Sequence, residues 1–556
     1  MKIYLAQINP IVGDLEYNFK KHLEIIQKTD EHSHRLIIFP ELSLIGYPPR
    51  DLILKPSFYD EQLKYIQELA KQVDANTGVL IGALSRNPEA GNPLFNSVYY
   101  LHWNKISKVF NKSLLPSYDI FDERRYFAPA AEIDENTFEF DGKKFGVSIC
   151  EDIWTEDGQE IYLDNPMERL NTYGAEVLIN CSASPFTTNK LEERKNILKR
   201  SIQRYKKPII YVNQIGANDH LVFDGNSVVL NHDNQIINTA KAFEEDLIEV
   251  GFEDLSTTGD LETTLEFTED EKIEMNLEAI KLGLKDYLRK CGFKKAILGL
   301  SGGMDSALVA YIAAIALGKE NLKAIMLPSL FTSEESLKDA RGLAHNLGLI
   351  STNNYLEINI NSLHSEMKTL MPEISALAEE NLQARLRANI LLAESNTDNS
   401  ILLATSNKSE LAVGYATIYG DTCGGIAVLG DLMKTQVYQM AKYINEKHKA
   451  EFPAGIIPEN IIHKAPTAEL RENQKDQDSL PPYEILDQII YHYVEEMMSL
   501  QDIINLGFNP ELVKKILNLI DRNEYKRQQY PPIVKIQGKT FGYGRKMPIA
   551  QGYKHK

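Results

Sequence analysis

The sequence predicts an α/β protein of two domains, and three observations predict it. At 556 residues the chain exceeds what one hydrophobic core normally organises. Short apolar runs of strand length alternate with helix-like runs in both halves. The alternation changes character near residue 270: before it, strands are separated by turns and some helices; after it, strand and helix follow one another.

The first domain, 1–248, opens on the strand "KIYLAQIN", followed by an amphipathic helix over 18–28. "RLIIFPE" is the next strand and 58–73 the next helix. "TGVLIGAL", "NSVYYLH", "KKFGVSICEDIW", "AEVLINCSASPF", "KPIIYVNQIG" and "DGNSVVLN" continue the pattern, which predicts α/β layers. Residues 249–269, polar, acidic and threonine-rich, read as a connector. The second domain, 270–525, begins with the helix "EMNLEAIKLGLKDYLRKCG". Strands follow at 296–300, "LKAIMLPS", "NNYLEINI" and "SILLATSNKSE", with helices at 306–316, 336–347 and "ENLQARLRANILLAESN" between them. That order predicts a parallel sheet with ligand loops at the carboxyl ends of its strands. The polar, basic stretch 526–556 reads as an irregular tail or arm.

Composition narrows the class. Apolar content of 43% and charged content of 25% are ordinary for a soluble globular protein. A formal charge of −18 argues against a general nucleic-acid surface and leaves room for a local basic pocket. The four cysteines, Cys150, Cys181, Cys291 and Cys423, match neither a zinc spacing nor a disulfide framework. The start "MKIYLAQINPIVGD" lacks signal-peptide architecture, and no run has the length of a membrane span. A cytoplasmic protein with no membrane or nucleic-acid partner is expected.

Two regions carry chemistry. In "AILGLSGGMDSALVAYIAA" an apolar strand runs through a small-residue turn into a helix. Gly302 and Gly303 allow a tight turn and close backbone approach, Ser301 and Ser306 add hydroxyls, and free N–H groups at a helix start favour an anion. A plain strand-to-helix turn remains the alternative. The stretch has neither GxxxxGK[ST] nor GxGxxG spacing, so neither a P-loop nor the usual dinucleotide crevice is supported. In the first half Glu41, Lys112 and Cys150 end or follow strands. Together they would make a nucleophilic site: a thiolate to attack a carbonyl, a carboxylate to carry the proton and an ammonium to hold the oxyanion. Singly, each has an ordinary reading as a structural cysteine, a helix cap or a solvated lysine, and no sequence rule brings the three together.

Resemblance supplies what spacing leaves open. "FPELSLIGYPPRDL", "KSLLPSYDIFDERRYF" and "GVSICEDIW" resemble the glutamate, lysine and cysteine segments of the nitrilase superfamily, and their wording resembles the glutaminase domain of glutamine-dependent NAD synthetases. The resemblance implies Glu41 as general base, Lys112 as oxyanion stabiliser and Cys150 as nucleophile. It also implies Glu123 beside Lys112, Tyr118 at the pocket lip, and Ser182 and Ser184 of "NCSASPF" at the glutamine amino-acid end; Cys181 in that loop reads as a buried small side chain. "SGGMDS" resembles the pyrophosphate loop of the N-type ATP pyrophosphatases. "LPSLFTSEESLKDARGLAHNLG", "ENLQARLRANIL", "ATSNKSELAVGYATIYGDTCGG" and "IIHKAPTAELRENQKDQDSLPPY" are similar to NAD synthetase segments, so the resemblance spans about residues 1–550.

The fold so implied is a nitrilase-like α-β-β-α sandwich followed by a Rossmann-like parallel-sheet ATP pyrophosphatase domain. The implied function is amidation of deamido-NAD to NAD through an acyl-adenylate, releasing AMP and pyrophosphate, with ammonia from glutamine carried through a channel. Ser301, Gly302, Gly303, Asp305, Ser306 and Thr405 would bind ATP; Arg385, Glu410, Asp421 and Lys464 would contact deamido-NAD. Of Arg385 and Arg387, two apart on a helix, Arg385 is the better match. Asp305 and Glu410 would bind Mg²⁺; no prosthetic group is implied. A homo-oligomer is implied, with Arg545 and Lys546 of "GYGRKMPIAQGY" as contacts across an interface. Phe331, Thr332, Ser406, Thr467 and Glu472 depart from the common pattern, and none removes a needed group. The alternatives are a glutaminase fused to another N-type amidating enzyme, such as a GMP synthetase, and a non-catalytic scaffold.

Overall fold

In the computed structural model of the protein every residue is described except 30–32, 131–134, 157–161, 258–260, 263–265, 473 and 556. Part of the expected connector therefore lies outside the described residues. The chain divides into two compact units, Met1–Thr268 and Glu269–Lys556.

The first unit is built on two sheets. One runs in spatial order Asp246–Gly251, Lys2–Gln7, Arg35–Ile38, Thr77–Arg86, Leu94–His102, Lys105–Asn111. The other runs Leu261–Glu262, Gln235–Thr239, Val228–Leu230, Ile209–Asn213, Val177–Ser182, Lys143–Ile149, Thr137–Phe140. Strand alternation sorts the side chains between two faces. Leu5, Leu36, Ile38, Leu80 and Val98 of the first sheet meet Phe145, Val147, Ile149, Val177, Ile179 and Val212 of the second in one buried cluster. Their neighbours in sequence point the other way. Tyr4, Ala6, Ile37 and Phe39 pack on Ile26, Ile66 and Leu69 of the helices Leu15–Lys28 and Pro56–Ala70. Leu178 and Ile209 pack on Leu170, Ile197, Leu198 and Ile202 of Pro166–Thr172 and Lys190–Tyr205. The result is an α-β-β-α sandwich. Each fully buried Leu, Ile or Phe contributes roughly 1.5–3 kcal/mol, so these layers dominate the unit's stability.

Helix Leu15–Lys28 begins three residues before the reading at 18–28, because the Asp14 side chain accepts from the Tyr17 N–H and caps it. The sequence reading did not single out the strands Lys105–Asn111 and Asp246–Gly251. Both lie on sheet edges, where alternating exposed side chains dilute the apolar signal.

The second unit has a five-stranded sheet, all parallel, in order Tyr355–Glu357, Leu322–Met326, Lys295–Gly299, Ser400–Ala404, Ile426–Ala427. In chain order this is 3-2-1-4-5, so the winding reverses between Lys295–Gly299 and Ser400–Ala404. A crevice opens at such a switch point outside the carboxyl ends of the strands. SGGMDS follows the first of these strands and SNKSE the second. Helix Met304–Leu317 starts two residues earlier than read, taking Asp305 into its first turn. A further helical cluster, with Leu486, Ile490, Ile503, Ile516 and Ile520 at its core, packs on the short helix Lys408–Val413. Beyond residue 528 the described chain has no regular helix or strand, yet Lys535 and Phe541 are buried in it. Among the described residues no helix is long and apolar enough to cross a membrane.

Candidate active sites

In the first unit the three reactive side chains converge. Glu41 lies just beyond strand Arg35–Ile38, Lys112 just beyond Lys105–Asn111, and Cys150 directly after Lys143–Ile149. The Lys112 ammonium is fully buried and donates to Glu41 Oε1 at 2.8 Å and to Glu123 Oε1 and Oε2 at 2.8 and 2.9 Å. Burial alone would strip its proton, but the carboxylates of Glu123 and Glu41 outweigh that and hold it well above the ordinary lysine range. Glu41 is fixed on its other sides by Asn96 Nδ2 at 2.7 Å and the Ala183 N–H at 2.9 Å. Glu123 also accepts from the Tyr47 hydroxyl at 2.9 Å, and burial pushes its carboxyl up to about 7 against the pull of Lys112.

Cys150 adopts φ +44 at the turn out of its strand, an uncommon conformation for a residue with a Cβ. Its thiol is buried and within electrostatic range of Glu41 and Lys112. Burial and Glu41 push its pKa well up, with Lys112 opposing. The following Asp152 ties the segments together. It accepts from the N–H groups of Ser113, Leu114 and Ile149 at 3.0, 2.8 and 3.0 Å, which locks the lysine segment to the cysteine segment.

The other residues expected in this unit are held by local hydrogen bonds. Tyr118 donates to Glu151 Oε1 at 3.0 Å, and Tyr162 donates to the same oxygen at 2.8 Å. Ser182 Oγ donates to Asn180 Oδ1 at 2.5 Å, and Ser184 N–H to Asn213 Oδ1 at 2.9 Å. Cys181 belongs to the inter-sheet core. Lys190 stands 3.7 Å over the Trp154 ring and acts electrostatically on Glu151. Glu151 and Lys190 thus put an anion and a cation near the nucleophile.

In the second unit the SGGMDS turn is self-supporting. Ser301 Oγ and Ser306 Oγ lie 3.0 Å apart, Gly303 N–H donates to Ser301 Oγ at 3.1 Å, and Ser306 Oγ donates to Gly303 O at 3.1 Å. Gly302 has φ +77, and a Cβ there would lie 2.3 Å from the Ser336 carbonyl oxygen, so only glycine fits. Asn407 joins the two signature loops. Its Nδ2 donates to Asp305 Oδ1 at 3.0 Å, and its Oδ1 caps helix Lys408–Val413 by accepting from Glu410 N–H at 3.0 Å. Between Asp305 and Glu410 sits the buried ammonium of Lys434, which bonds Asp305 Oδ2 and, at 3.1 Å, Glu410 Oε1. Burial lifts Glu410 to about 7, Lys434 pulls it down and Asp305 pushes it up.

Thr405 follows strand Ser400–Ala404 and is half-buried. Lys464 donates to Asp339 Oδ2 at 2.9 Å and Ser336 Oγ at 3.1 Å, behind Gly302. Asp421 accepts from Thr417 N–H at 2.7 Å. Arg385 is exposed and donates to the Ile418 carbonyl at 3.2 Å. Arg387 turns to the sheet and donates to the Leu327 carbonyl at 2.9 Å, just past strand Leu322–Met326. Arg545 is buried and paired inside the unit with Asp521 and Glu524, each at 3.1 Å, whereas Lys546 is exposed.

Sequence reading missed Lys434, Asn96, Asp152 and Glu151. Glu151 and Asp152 stand beside Cys150 in the quoted "CEDIW"; Asn96 and Lys434 sit where no local pattern marks them.

Comparison with known proteins agrees with the fold of both units. Residues 2–259 match the carbon-nitrogen hydrolase family, and residues 276–530 match the NAD synthase family. The fold and these matches define a carbon-nitrogen hydrolase unit and an NAD synthase unit on one chain. The glutamine-dependent NAD(+) synthetase of Synechocystis sp. is 42% identical over 99% of both chains, and that of Thermotoga maritima 39% identical over 100% of this chain and 99% of its own. The solved structure of glutamine-dependent NAD+ synthetase from Acinetobacter baumannii in complex with ADP is 35% identical, covers 100% of this chain and 99% of its own, and superposes with TM-score 0.75. The chain belongs to the glutamine-dependent NAD(+) synthetases, a family of ligases.

Proposed function

We propose that the chain hydrolyses glutamine at Cys150 and uses the ammonia to convert deamido-NAD to NAD in its second unit. The observation that carries the first step is the buried Lys112 ammonium held between Glu41 and Glu123 beside Cys150. The thiol is protonated at rest, so Glu41 takes its proton as sulfur attacks the carboxamide. Negative charge then builds on the substrate oxygen, and Lys112 is the cation placed to stabilise it. Glu41 returns the proton to the leaving ammonia and activates water for release of glutamate. Glu123 keeps Lys112 charged and oriented. Glu151 suits the substrate's α-ammonium and Lys190 its α-carboxylate, with Tyr118, Ser182 and Ser184 completing the pocket.

In the second unit the deamido-NAD carboxylate attacks the α-phosphorus of ATP, pyrophosphate leaves, and ammonia displaces AMP from the acyl-adenylate. Free N–H groups at the start of helix Met304–Leu317, with Ser301, Gly302, Gly303 and Ser306, suit the departing pyrophosphate. Thr405 accompanies ATP; Arg385, Asp421 and Lys464 are assigned to deamido-NAD. Asp305 and Glu410 present hard carboxylate oxygens to the same buried ammonium, that of Lys434, and such a donor set fits Mg²⁺. When bound, the ion would offset charge on the phosphate oxygens. Lys434 supplies cationic charge between the same two carboxylates. The protein is assigned to the cytoplasm as a homo-oligomer, with ammonia passed between the sites. The deciding experiment supplies deamido-NAD, ATP, Mg²⁺ and glutamine to purified protein and measures NAD, AMP, pyrophosphate and glutamate. Absence of NAD would overturn the reading, and amidation of xanthosine monophosphate would favour a GMP synthetase.

A further inference from the structure

We propose that the Tyr530 hydroxyl is a substrate-binding donor of the second unit's site, directed at a phosphate or carboxylate oxygen of the bound nucleotides. The inference rests on the NAD synthase reading and adds a residue that none of the signature segments contains. Tyr530 lies between two anchors. On one side Arg527 donates to the carbonyls of Leu411 and Ala412 at 3.1 and 2.7 Å, and Lys526 to those of Gly414 and Ala416 at 2.7 and 2.8 Å. These contacts clamp the chain to the end of helix Lys408–Val413, whose first turn carries Glu410. On the other side Pro532 accepts from Ala427 N–H at 2.8 Å, next to the edge strand of the sheet. The ring packs against the apolar cluster of the helical region.

So held, the hydroxyl oxygen is buried, and among the described residues its O–H finds no acceptor, the Ser406 hydroxyl interacting with it only as a donor. Ser406 lies beside it, and Asp421, Glu410 and Asp305 all act on it electrostatically. Asp305 and Glu410 stand in the first turns of two helices and Asp421 in a turn of the chain, so the phenol lies near the place where those segments meet. Burial and the surrounding acids hold its proton firmly, which leaves it a donor at neutral pH. A buried O–H without an acceptor is a cost the free chain carries, and an acceptor oxygen arriving with substrate removes that cost.

The test is Y530F, which keeps the ring and removes only the hydroxyl. Ammonia-driven NAD synthesis is measured with ATP and deamido-NAD varied in turn, alongside Tm and glutamine hydrolysis. The expected result is a rise of about tenfold in one KM, or a matching fall in kcat. Tm should be unchanged or higher, and glutamine hydrolysis should be retained. A higher KM for ATP assigns the acceptor to its phosphates; a higher KM for deamido-NAD assigns it to that dinucleotide. Unchanged KM values and kcat, with or without a lower Tm, would overturn the inference. Wild-type protein that binds neither nucleotide and makes no NAD would instead overturn the NAD synthase reading beneath it.

Discussion

Cys150, the proposed nucleophile, sits where its surroundings favour the protonated thiol. Burial and Glu41 both oppose the thiolate, and only Lys112 favours it. Lys112 is itself shared between two carboxylates, so little of its charge is free at rest. The balance shifts when Glu41 accepts the proton: one anion disappears and Lys112 can turn its charge to the new oxyanion. C150A should therefore lower glutamine-driven synthesis by about 10³-fold or more while ammonia-driven synthesis persists. Retention of wild-type glutamine use would remove Cys150 from the reaction. Glu123 adds a pH signature. Its pKa of about 7 lies above the ordinary glutamate value, so the native state binds the extra proton between about 4.5 and 7. Stability from this group is full below that window and is lost as pH rises through it. Relative to E123Q, the wild type should lose stability from pH 4.5 to 7. Denaturant midpoints at several pH values check this, and a wild-type stability that rises relative to E123Q with pH would contradict it.

At the scale of elements, the sequence was most legible where burial is two-sided. The parallel strands Lys295–Gly299, Leu322–Met326 and Ser400–Ala404 are nearly continuous apolar runs, and they fall within a few residues of where the pattern put them. The antiparallel edges were less legible, because a half-exposed strand such as Lys105–Asn111 resembles a polar loop. The sites divide in the same way. Glu41, Cys150 and Asp305 sit in turns whose wording is dictated by backbone geometry as well as chemistry. Lys434 sits in "MKTQV" at the start of the regular helix Lys434–Lys447 and meets Asp305, 129 residues away, only through the fold. The SGGMDS turn shows how strict the geometric demand is. G302A would have to place a methyl 2.3 Å from the Ser336 oxygen at φ +77. The turn must shift, at a cost of about 1–3 kcal/mol for the backbone conformation alone. Ammonia-driven synthesis should fall at least tenfold while glutamine hydrolysis continues. Equal activity in G302A would show that the turn does not hold a ligand closely.

For the whole molecule, the two units imply a division of labour that product analysis can read. The first releases ammonia without consuming ATP; the second must make a carboxylate reactive toward it. Ammonia cannot expel oxide from a carboxylate, but it can expel AMP from a mixed anhydride. The SGGMDS turn lacks a P-loop lysine and opens helix Met304–Leu317 with free N–H groups, an arrangement suited to a departing pyrophosphate rather than to transfer of a terminal phosphoryl group. AMP and pyrophosphate should therefore form in step with NAD, and ADP should not. D305A and E410A should depress synthesis from both glutamine and ammonia, because the adenylation they serve is common to both nitrogen sources; full ammonia-driven activity in either would remove that residue from the site. An oxygen label placed in the deamido-NAD carboxylate should appear in AMP, since that oxygen attacks the α-phosphorus before ammonia displaces it. An acyl-phosphate route would leave ADP and carry the label into inorganic phosphate. Mass analysis of the nucleotides separates the two, and stoichiometric ADP would overturn the role assigned to Ser301, Gly303 and Ser306.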